Sequence, residues 1–536
     1  MTVQQLNPRL ALTDRRWRVL AVLCVAVFTI NVDVSIVNVA LPTLVRDLGA
    51  STSRLQWVVD AYQLTFCAFV LAAGSLSDRF GRKGALITGL AIFALGSAAG
   101  SLGTSTGQLV AARAVMGIGA AIVFPNTLSI LSNVFTDRVE RAKAIGVWGA
   151  TTGIGVAVGP IVGGWLLEHF WWGSIFLAMA PPALLAIVLV ALWVPTSRNP
   201  AAPRLDRGGL TLSTVTIGLL VYTIIEAPVR GWSAPGTLAG FAAAAVFLLA
   251  FVSWERRVAE PMLDVSLFTN PRFSAASGAV TIAFFALLGF IFLITMYFQF
   301  LHGYGPLSTG VRLLPVAFSL GAASALGPRL AVRFGNKAVV ASGLALMAIG
   351  FTWFSRSSIH TSYLEIVGQM LVTAAGLGFA TAPATEAIMG VVPKEKAGTG
   401  SAVNDATREF GGTLGVAVIG SVFTSFYIHG LESSRVAAVV PAALFARSKE
   451  SVGAALLGAR QLANSHPHAA SLLTRAAHDA FFDGFKVGCL VAAGVALVGA
   501  AFVAVALPAR PTELPEPELL DAPDAGRPDR ATAEAS

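Results

Sequence analysis

Long apolar runs separated by short polar punctuation follow one another along nearly the whole chain. A helix needs about 20 apolar residues to cross the hydrocarbon core of a bilayer, so runs of that size are read as spanning helices. Six centre near residues 30, 66, 95, 120, 155 and 185, two follow at about 209 to 226 and 236 to 254, and six more centre near 288, 320, 346, 376, 412 and 495. The pattern predicts an all-α polytopic membrane protein with fourteen transmembrane helices and both termini on one side. The punctuation divides it into an N-terminal segment 1–18, a six-helix bundle 19–195, a Pro-rich linker 196–208, an inserted pair of helices 209–254, a linker 255–272 and a second six-helix bundle 273–507. A long extracytoplasmic loop is expected at 427–480, with an amphipathic helix from Ser451 to Leu462, and the tail 508–536 is expected to be disordered. The first run is too long for a signal peptide and contains Asp33, so it is expected to stay as an anchor.

One short turn interrupts this pattern sharply. In Gly74-Ser-Leu-Ser-Asp78-Arg79-Phe-Gly81-Arg82-Lys83, Asp78, Arg79, Arg82 and Lys83 cannot sit in hydrocarbon, which predicts a tight loop in water at a membrane surface. Its glycines let two helix ends approach closely. A weaker copy, Pro328-Arg-Leu-Ala-Val332-Arg333-Phe-Gly335-Asn-Lys337, lies 254 positions on (333 against 79) and has Val332 in place of the acid. Gly117-Ile-Gly119 before Pro125 likewise resembles Gly376-Leu-Gly378 before Pro383, at an offset near 258. Two six-helix halves alone would be offset by roughly 200 residues, and the inserted pair accounts for the excess. The predicted order is six, two, six, with the two halves pseudo-symmetric.

Composition agrees with a membrane solvent. Of 536 residues 55% are hydrophobic and 12% charged, against about 25% charged in a soluble domain. The net charge of +8 comes from Lys and Arg scattered through short connections, not from a patch that would hold nucleic acid. These cations crowd the loops on the N-terminal side, among them Arg79, Arg82, Lys83, Arg138, Arg141, Lys143, Arg207, Arg256, Arg257, Arg333 and Lys337, while the opposite short loops hold Arg46, Arg54, Arg230 and Arg356. The positive-inside rule then puts both termini in the cytoplasm. Cys24, Cys67 and Cys489 fall inside apolar runs without metal-ligand spacing and read as packing residues. No metal site, HExxH motif, nucleophile triad spacing or phosphate loop is present, and Gly153-Ile-Gly155 lacks the preceding strand of a nucleotide site. His429, His466, His468 and His478 cluster in or beside the outer loop and read as solvated.

The informative residues are ionisable groups inside apolar runs: Asp33, Asp60, Arg113, Glu386, Asp405, Arg408 and Glu409. Each costs about 2.5 to 3.5 kcal/mol at mid-membrane, so seven facing lipid would exceed the roughly 5 to 15 kcal/mol by which a fold is stable. They must face a wet cavity or one another. Asp405 and Glu409 share a helix face with Arg408 beside them, which fits either a structural ion pair or a cavity site. Asp33 and Asp60 have no basic residue in helical reach, so they are structural acids or cavity acids that exchange a proton for a cation. Arg113 either pairs with a backbone carbonyl or sets the field around a neighbouring acid. Trp57, Tyr62, Phe124, Tyr297 and Phe298 are packing aromatics or cation-accepting walls, and Gln299 is polar in an apolar run.

Several of these stretches together resemble one family. The Gly74–Lys83 turn is similar to the loop joining the second and third helices of the major facilitator superfamily. Arg113 with Gly117 and Gly119, and Gly155-Val-Ala-Val-Gly159-Pro160-Ile-Val-Gly163-Gly164, resemble the fourth-helix and antiporter signatures of its drug exporters. Asp33-Val-Ser-Ile-Val-Asn38-Val-Ala-Leu-Pro42 and Trp57-Val-Val-Asp60-Ala-Tyr62 resemble the fourteen-helix drug:proton antiporter branch, and in its quaternary-ammonium exporters acids stand at positions like Asp33, Asp60, Asp405 and Glu409. Met116 departs from the family, which has Gln there. The resemblance implies the major facilitator fold and a multidrug exporter in a bacterial plasma membrane. It would run on the proton-motive force without a cofactor, exchange protons for small amphipathic, often cationic compounds, and work in the bilayer as a monomer. Asp78 with Arg79, Arg82 and Lys83 would form a cytoplasmic latch, and the fifth-helix glycines would seal the cavity against proton leak. Export of an endogenous lipid, siderophore or metabolite by the same fold is the alternative, and a multipass membrane enzyme the least favoured.

Overall fold

A computed structural model describes residues 8–198, 205–392 and 397–508. Among these residues, fourteen helices are long and apolar enough to cross a membrane. The first half contains α1 (Arg16–Leu48), α2 (Thr52–Gly74), α3 (Arg82–Ser101), α4 (Thr106–Val134), α5 (Lys143–His169) and α6 (Ser174–Trp193). The inserted pair is α7 (Arg207–Arg230) and α8 (Pro235–Glu255). The second half contains α9 (Pro271–Leu301), α10 (Pro306–Phe334), α11 (Asn336–Phe354), α12 (Tyr363–Val391), α13 (Ala402–Ser433) and α14 (Pro467–Ala506). Ser51, Ser105, Asp206 and Ser362 cap the starts of α2, α4, α7 and α12 by accepting the Arg54, Gln108, Gly209 and Glu365 backbone N–H groups. Each cap satisfies a donor that a helix start leaves orphaned.

The two halves are built alike. α1 packs on α5, α2 and α3 on α4, and α3 on α6; eight helices later, α9 packs on α13, α10 and α11 on α12, and α11 on α14. The helix ending in the charged turn stops at Gly81 (φ +120°), whose N–H donates to Ser77 O, and its counterpart stops at Gly335 (φ +85°), whose N–H donates to Ala331 O. Only glycine adopts such φ cheaply, which is why both turns keep it. The structure also settles the register of the second match. A side chain on Gly119 would strike Gly89 O and Phe93 N, and one on Gly376 would strike Gly343 O and Met347 N, partners that are again 254 apart (343 against 89, 347 against 93). Gly119 therefore corresponds to Gly376, not to Gly378.

Between the halves, α2 packs along α13 and α5 along α10. The inserted pair lies outside this seam: Val221, Ile224 and Ile225 of α7 bury themselves against Ala417, flanked by Trp57, Leu64 and Leu414. Its base is fastened by Asp206, whose Oδ1 accepts from Gly209 N and from Trp254 Nε1, both at 2.9 Å, and by Glu255, whose Oε2 accepts from Leu263 N at 3.1 Å. Asp206→Ala removes the cap of α7 and the partner of Trp254 together. Thermal unfolding in detergent should show a loss of about 1–2 kcal/mol, with Asp206→Asn retaining most of it because the amide oxygen still accepts.

Helix extends into two of the connecting segments. The helix of α1 begins at Pro8, within the N-terminal segment 1–18. Within the outer segment 427–480, α13 continues to Ser433 and the next helix starts at Pro467. Alternating apolar and small residues extend both helices beyond a bilayer's thickness, and composition alone does not mark where lipid ends. The connection between them folds into a cap of short helices, Arg435–Ala438, Ala442–Glu450 and Val452–Leu462, around a small core of Val436, Val440, Ala455, Ala459, Leu473 and Ala477. The amphipathic helix expected from Ser451 is the last of these, with Ser451 as its cap. The tail from 509 lies outside the described residues.

Candidate functional site

Arg113 is the largest fully buried side chain among the described residues, 1% exposed about two turns into α4. An arginine there persists only if its charge is answered, and three groups answer it. Nη1 donates to Asp33 Oδ2 of α1 at 2.5 Å, Nε donates to Val58 O of α2 at 3.2 Å, and the guanidinium lies over the Tyr62 ring at 4.3 Å. Asp33, 0% exposed, thus takes its basic partner from another helix, and its Oδ1 has no hydrogen-bond partner. Arg113 is thus in contact with both a backbone carbonyl and an acid. Tyr62 is within electrostatic reach of Asp33, Arg113 and, from the opposite half, Glu409.

The second half contributes a looser cluster on α13. Asp405 is buried and pairs with Arg408 at 3.9 Å, while Arg408 Nη2 donates to Thr385 Oγ1 at 3.2 Å. Glu409 is half-buried with Oε2 unpartnered. Glu386 is exposed, near the end of α12.

Asp60 stands elsewhere. It is 0% exposed and neither carboxylate oxygen has a hydrogen-bond partner among the described residues. Helical spacing puts it on one face of α2 with Gln56 and Gln63. Gln56 Nε2 donates to Val416 O at 3.1 Å and Ala417 O at 3.0 Å, and Gln63 Oε1 faces Gly412. Asp60 therefore lies in the α2–α13 seam between the halves, where a bare carboxylate costs far more than a neutral carboxyl. Gln56 and Gln63 were not singled out from the sequence, although a buried amide on the same face as an intramembrane acid is a readable signal.

The aromatic candidates separate clearly. From Tyr62 a chain of rings runs through Phe66 at 6.4 Å, Phe124 at 5.9 Å and Trp148 at 5.3 Å, and Trp148 Nε1 donates to Thr127 Oγ1 at 3.1 Å. Trp57 is not part of it: it turns away from Arg113 to pack on the inserted pair, 6.2 Å from the Tyr222 ring. Tyr297 is a packing residue, fully buried among Phe481 and Phe485, with its hydroxyl donating to Ser358 O at 2.9 Å. Gln299 ties the two halves together, its Nε2 donating to Val39 O at 2.8 Å. In all three cases residue type identified a polar or aromatic contact but not the face that makes it.

Further ties close the face opposite the termini, called here the distal face. Leu307 N donates to Glu168 Oε1 at 3.1 Å and Thr52 Oγ1 to Glu450 O of the cap at 3.2 Å. The glycines of α5 make this closure tight. A side chain on Gly155 would meet Asn31 at 3.0 Å, one on Gly159 would meet Val32 O at 2.7 Å and overlap Ser35, and one on Gly163 would overlap Ile36, so this face lies directly on α1. Gly164 abuts Leu307, and Gly310 of α10 abuts the Pro160 carbonyl. At the other end, Lys83 Nζ donates to Ala191 O at 2.8 Å and Arg82 N to Ser197 O at 3.0 Å, while Arg79 is exposed. The turn thus grips the end of α6 within its own half; the Asp78 side chain lies outside the described residues.

Two pseudo-symmetric six-helix bundles meeting along α2–α13 and α5–α10, with ionisable groups enclosed at the middle, define a polytopic membrane transporter. A sequence profile of the Major Facilitator Superfamily matches residues 23–416, and the chain belongs to that superfamily. It is similar to the multidrug efflux pump LfrA of Mycolicibacterium smegmatis, 35% identical over 493 residues that cover 92% of this chain and 96% of the relative. The methyl viologen resistance protein SmvA of Salmonella typhimurium is 34% identical over 460 residues, 84% of this chain and 90% of that one. In fold it resembles the crystal structure of a bacterial homologue of the human lysosomal transporter Spinster in its inward-facing, unoccupied conformation, with a TM-score of 0.64 at 17% identity, covering 91% of this chain and 98% of the other.

Proposed function

We propose that this chain is a multidrug exporter of a bacterial plasma membrane, exchanging protons for amphipathic, often cationic compounds, with both termini cytoplasmic. Its relatives named for multidrug efflux and methyl viologen resistance support the class of cargo, and the cations crowding the terminal-side loops support the orientation. The observation that carries proton exchange is Asp60, sealed without a partner in the seam that must part for the distal face to open. With the seam closed, the neutral carboxyl is the form the site tolerates. When the halves rock, the bonds from Gln56, Gln299 and Thr52 break, water enters, and Asp60 equilibrates with the far side. The Asp33–Arg113 pair keeps a fixed, internally balanced charge beside the aromatic chain, whose ring faces suit a cation. One proton moving inward supplies about 1.4 kcal/mol per pH unit and about 2.3 kcal/mol per 100 mV, enough for concentration ratios of ten to hundreds.

The test is transport in proteoliposomes with an imposed pH gradient. Wild type should move a cationic dye against its gradient, and a protonophore should stop it. Asp60→Asn, which keeps the shape but cannot release a proton, should lose at least 90% of gradient-driven transport while unfolding within about 1 kcal/mol of wild type. Gradient-independent dye movement by wild type, or normal coupling in Asp60→Asn, refutes the reading.

A further inference from the structure

Between the end of α9, the cap helix Val452–Leu462 and the first turns of α14 lies a cavity of about 270 Å³ at the distal face, remote from Arg113 and Asp60. Its floor is apolar, with Phe300 and Leu456, and its polar wall is made by His302, Arg460, Thr474 and His478. The three nitrogen-bearing side chains come from three separate elements and converge on one space. His302 Nε2 is buried beside it, with no hydrogen-bond partner among the described residues. The Thr474 hydroxyl already donates to Ala470 O at 3.0 Å. No carboxylate lines the cavity; Asp479 acts on His478 only from beyond the wall. Arg312, stacked on Tyr304 at 4.0 Å, adds positive potential behind His302. A guanidinium between two imidazoles that can each present an N–H, with no carboxylate among the described lining residues, is complementary to an oxyanion. The volume lies below the roughly 300–1,000 Å³ of pockets that enclose a drug-sized molecule, so it admits a head group rather than a whole amphiphile.

We propose that this cavity binds a phosphate-type oxyanion, either free phosphate or the head group of an anionic lipid. The occupant bridges α9, the cap and α14. The cap in turn touches the first half, through Gly453 against Val45 and Thr52 Oγ1 on Glu450 O, so occupancy braces the closed distal face. This assignment does not depend on the exporter reading, since it is tested by binding.

The full-length protein in neutral detergent is titrated with sodium phosphate against sodium chloride at constant ionic strength, following the thermal unfolding midpoint. It is also reconstituted in phosphatidylcholine nanodiscs with and without phosphatidylglycerol. A saturable rise in midpoint is expected from phosphate, from phosphatidylglycerol or from both, and the pattern identifies the source. Arg460→Ala, at an exposed position where folding is unaffected, should weaken the phosphate response at least tenfold or abolish the lipid response, and His302→Gln should weaken it further. Arg435→Ala, a cap arginine outside the cavity, should respond as wild type. The proposal falls if neither anion shifts the wild-type midpoint, or if Arg460→Ala responds as wild type does.

Discussion

Arg113→Ala is expected to abolish transport and to destabilise the protein by about 3–5 kcal/mol, the range for breaking a buried ion pair by removing one partner. The reason is geometric. Asp33 has no exposure, and among the described residues its only hydrogen bond to a side chain comes from Arg113, so the variant leaves a buried carboxylate that has lost this partner. Asp33→Asn leaves the converse, a buried guanidinium without its counter-charge, held by Val58 O, the face of Tyr62 and a neutral amide oxygen. The double variant Asp33→Asn with Arg113→Gln carries no net buried charge and should recover most of the stability of either single variant without recovering transport. Arg113→Lys should not rescue, because an ammonium cannot reach the carboxylate and the Val58 carbonyl as a planar fork does. Thermal unfolding of wild type, Asp33→Asn, Arg113→Gln and their double variant as a double-mutant cycle, read beside a resistance assay, checks this. Additive losses in the cycle would mean that the pair is not coupled.

Gly159→Leu is expected to be nearly as severe, through a different cause. The added side chain meets Val32 O and Ser35 on α1, and backbone cannot yield as a flexible side chain can. Overpacking of this kind costs about 1–3 kcal/mol or more, and α1 also carries Asp33, so displacement of that helix disturbs the ion pair. Folded yield and transport should both fall. Gly153→Leu, one and a half turns earlier on α5, is the matched control, since a side chain there meets nothing within 4 Å and should change stability by less than about 0.5 kcal/mol. Equal behaviour of the two variants would show that the glycines of α5 act through helix propensity rather than through contact with α1.

The candidate site was legible to different depths at different residues. Asp33, Asp60 and Arg113 announced themselves because an ionisable group in an apolar run has a price in hydrocarbon, whatever its neighbours. Their partners did not. Asp33 and Arg113 are 80 positions apart, and nothing along the chain couples them until α1 and α4 pack. Asp60 looked equivalent to Asp33 on paper, yet one is neutralised inside the first half and the other is sealed in the seam. Glu386 was grouped with them because its run is apolar, but it sits near the end of α12, where an acid reaches water at little cost. For Trp57, Tyr297 and Gln299 the sequence left the contacting face open for a common reason. In a soluble helix the polar face marks the outside, whereas here lipid, core and inserted pair are all apolar, so periodicity does not say which face is inward.

By itself, then, the order of residues determined the number of spanning helices, the duplication, the intervening pair and the list of costly side chains, because each follows from length, hydropathy and spacing within a few turns. Tertiary structure alone decided which acid meets which base, that α5 lies directly on α1, that the distal connection folds as a cap, and that Asp60 lies at the boundary between the halves. Those outcomes depend on contacts between segments hundreds of residues apart, where shape and hydrogen bonding select among faces that are equally apolar.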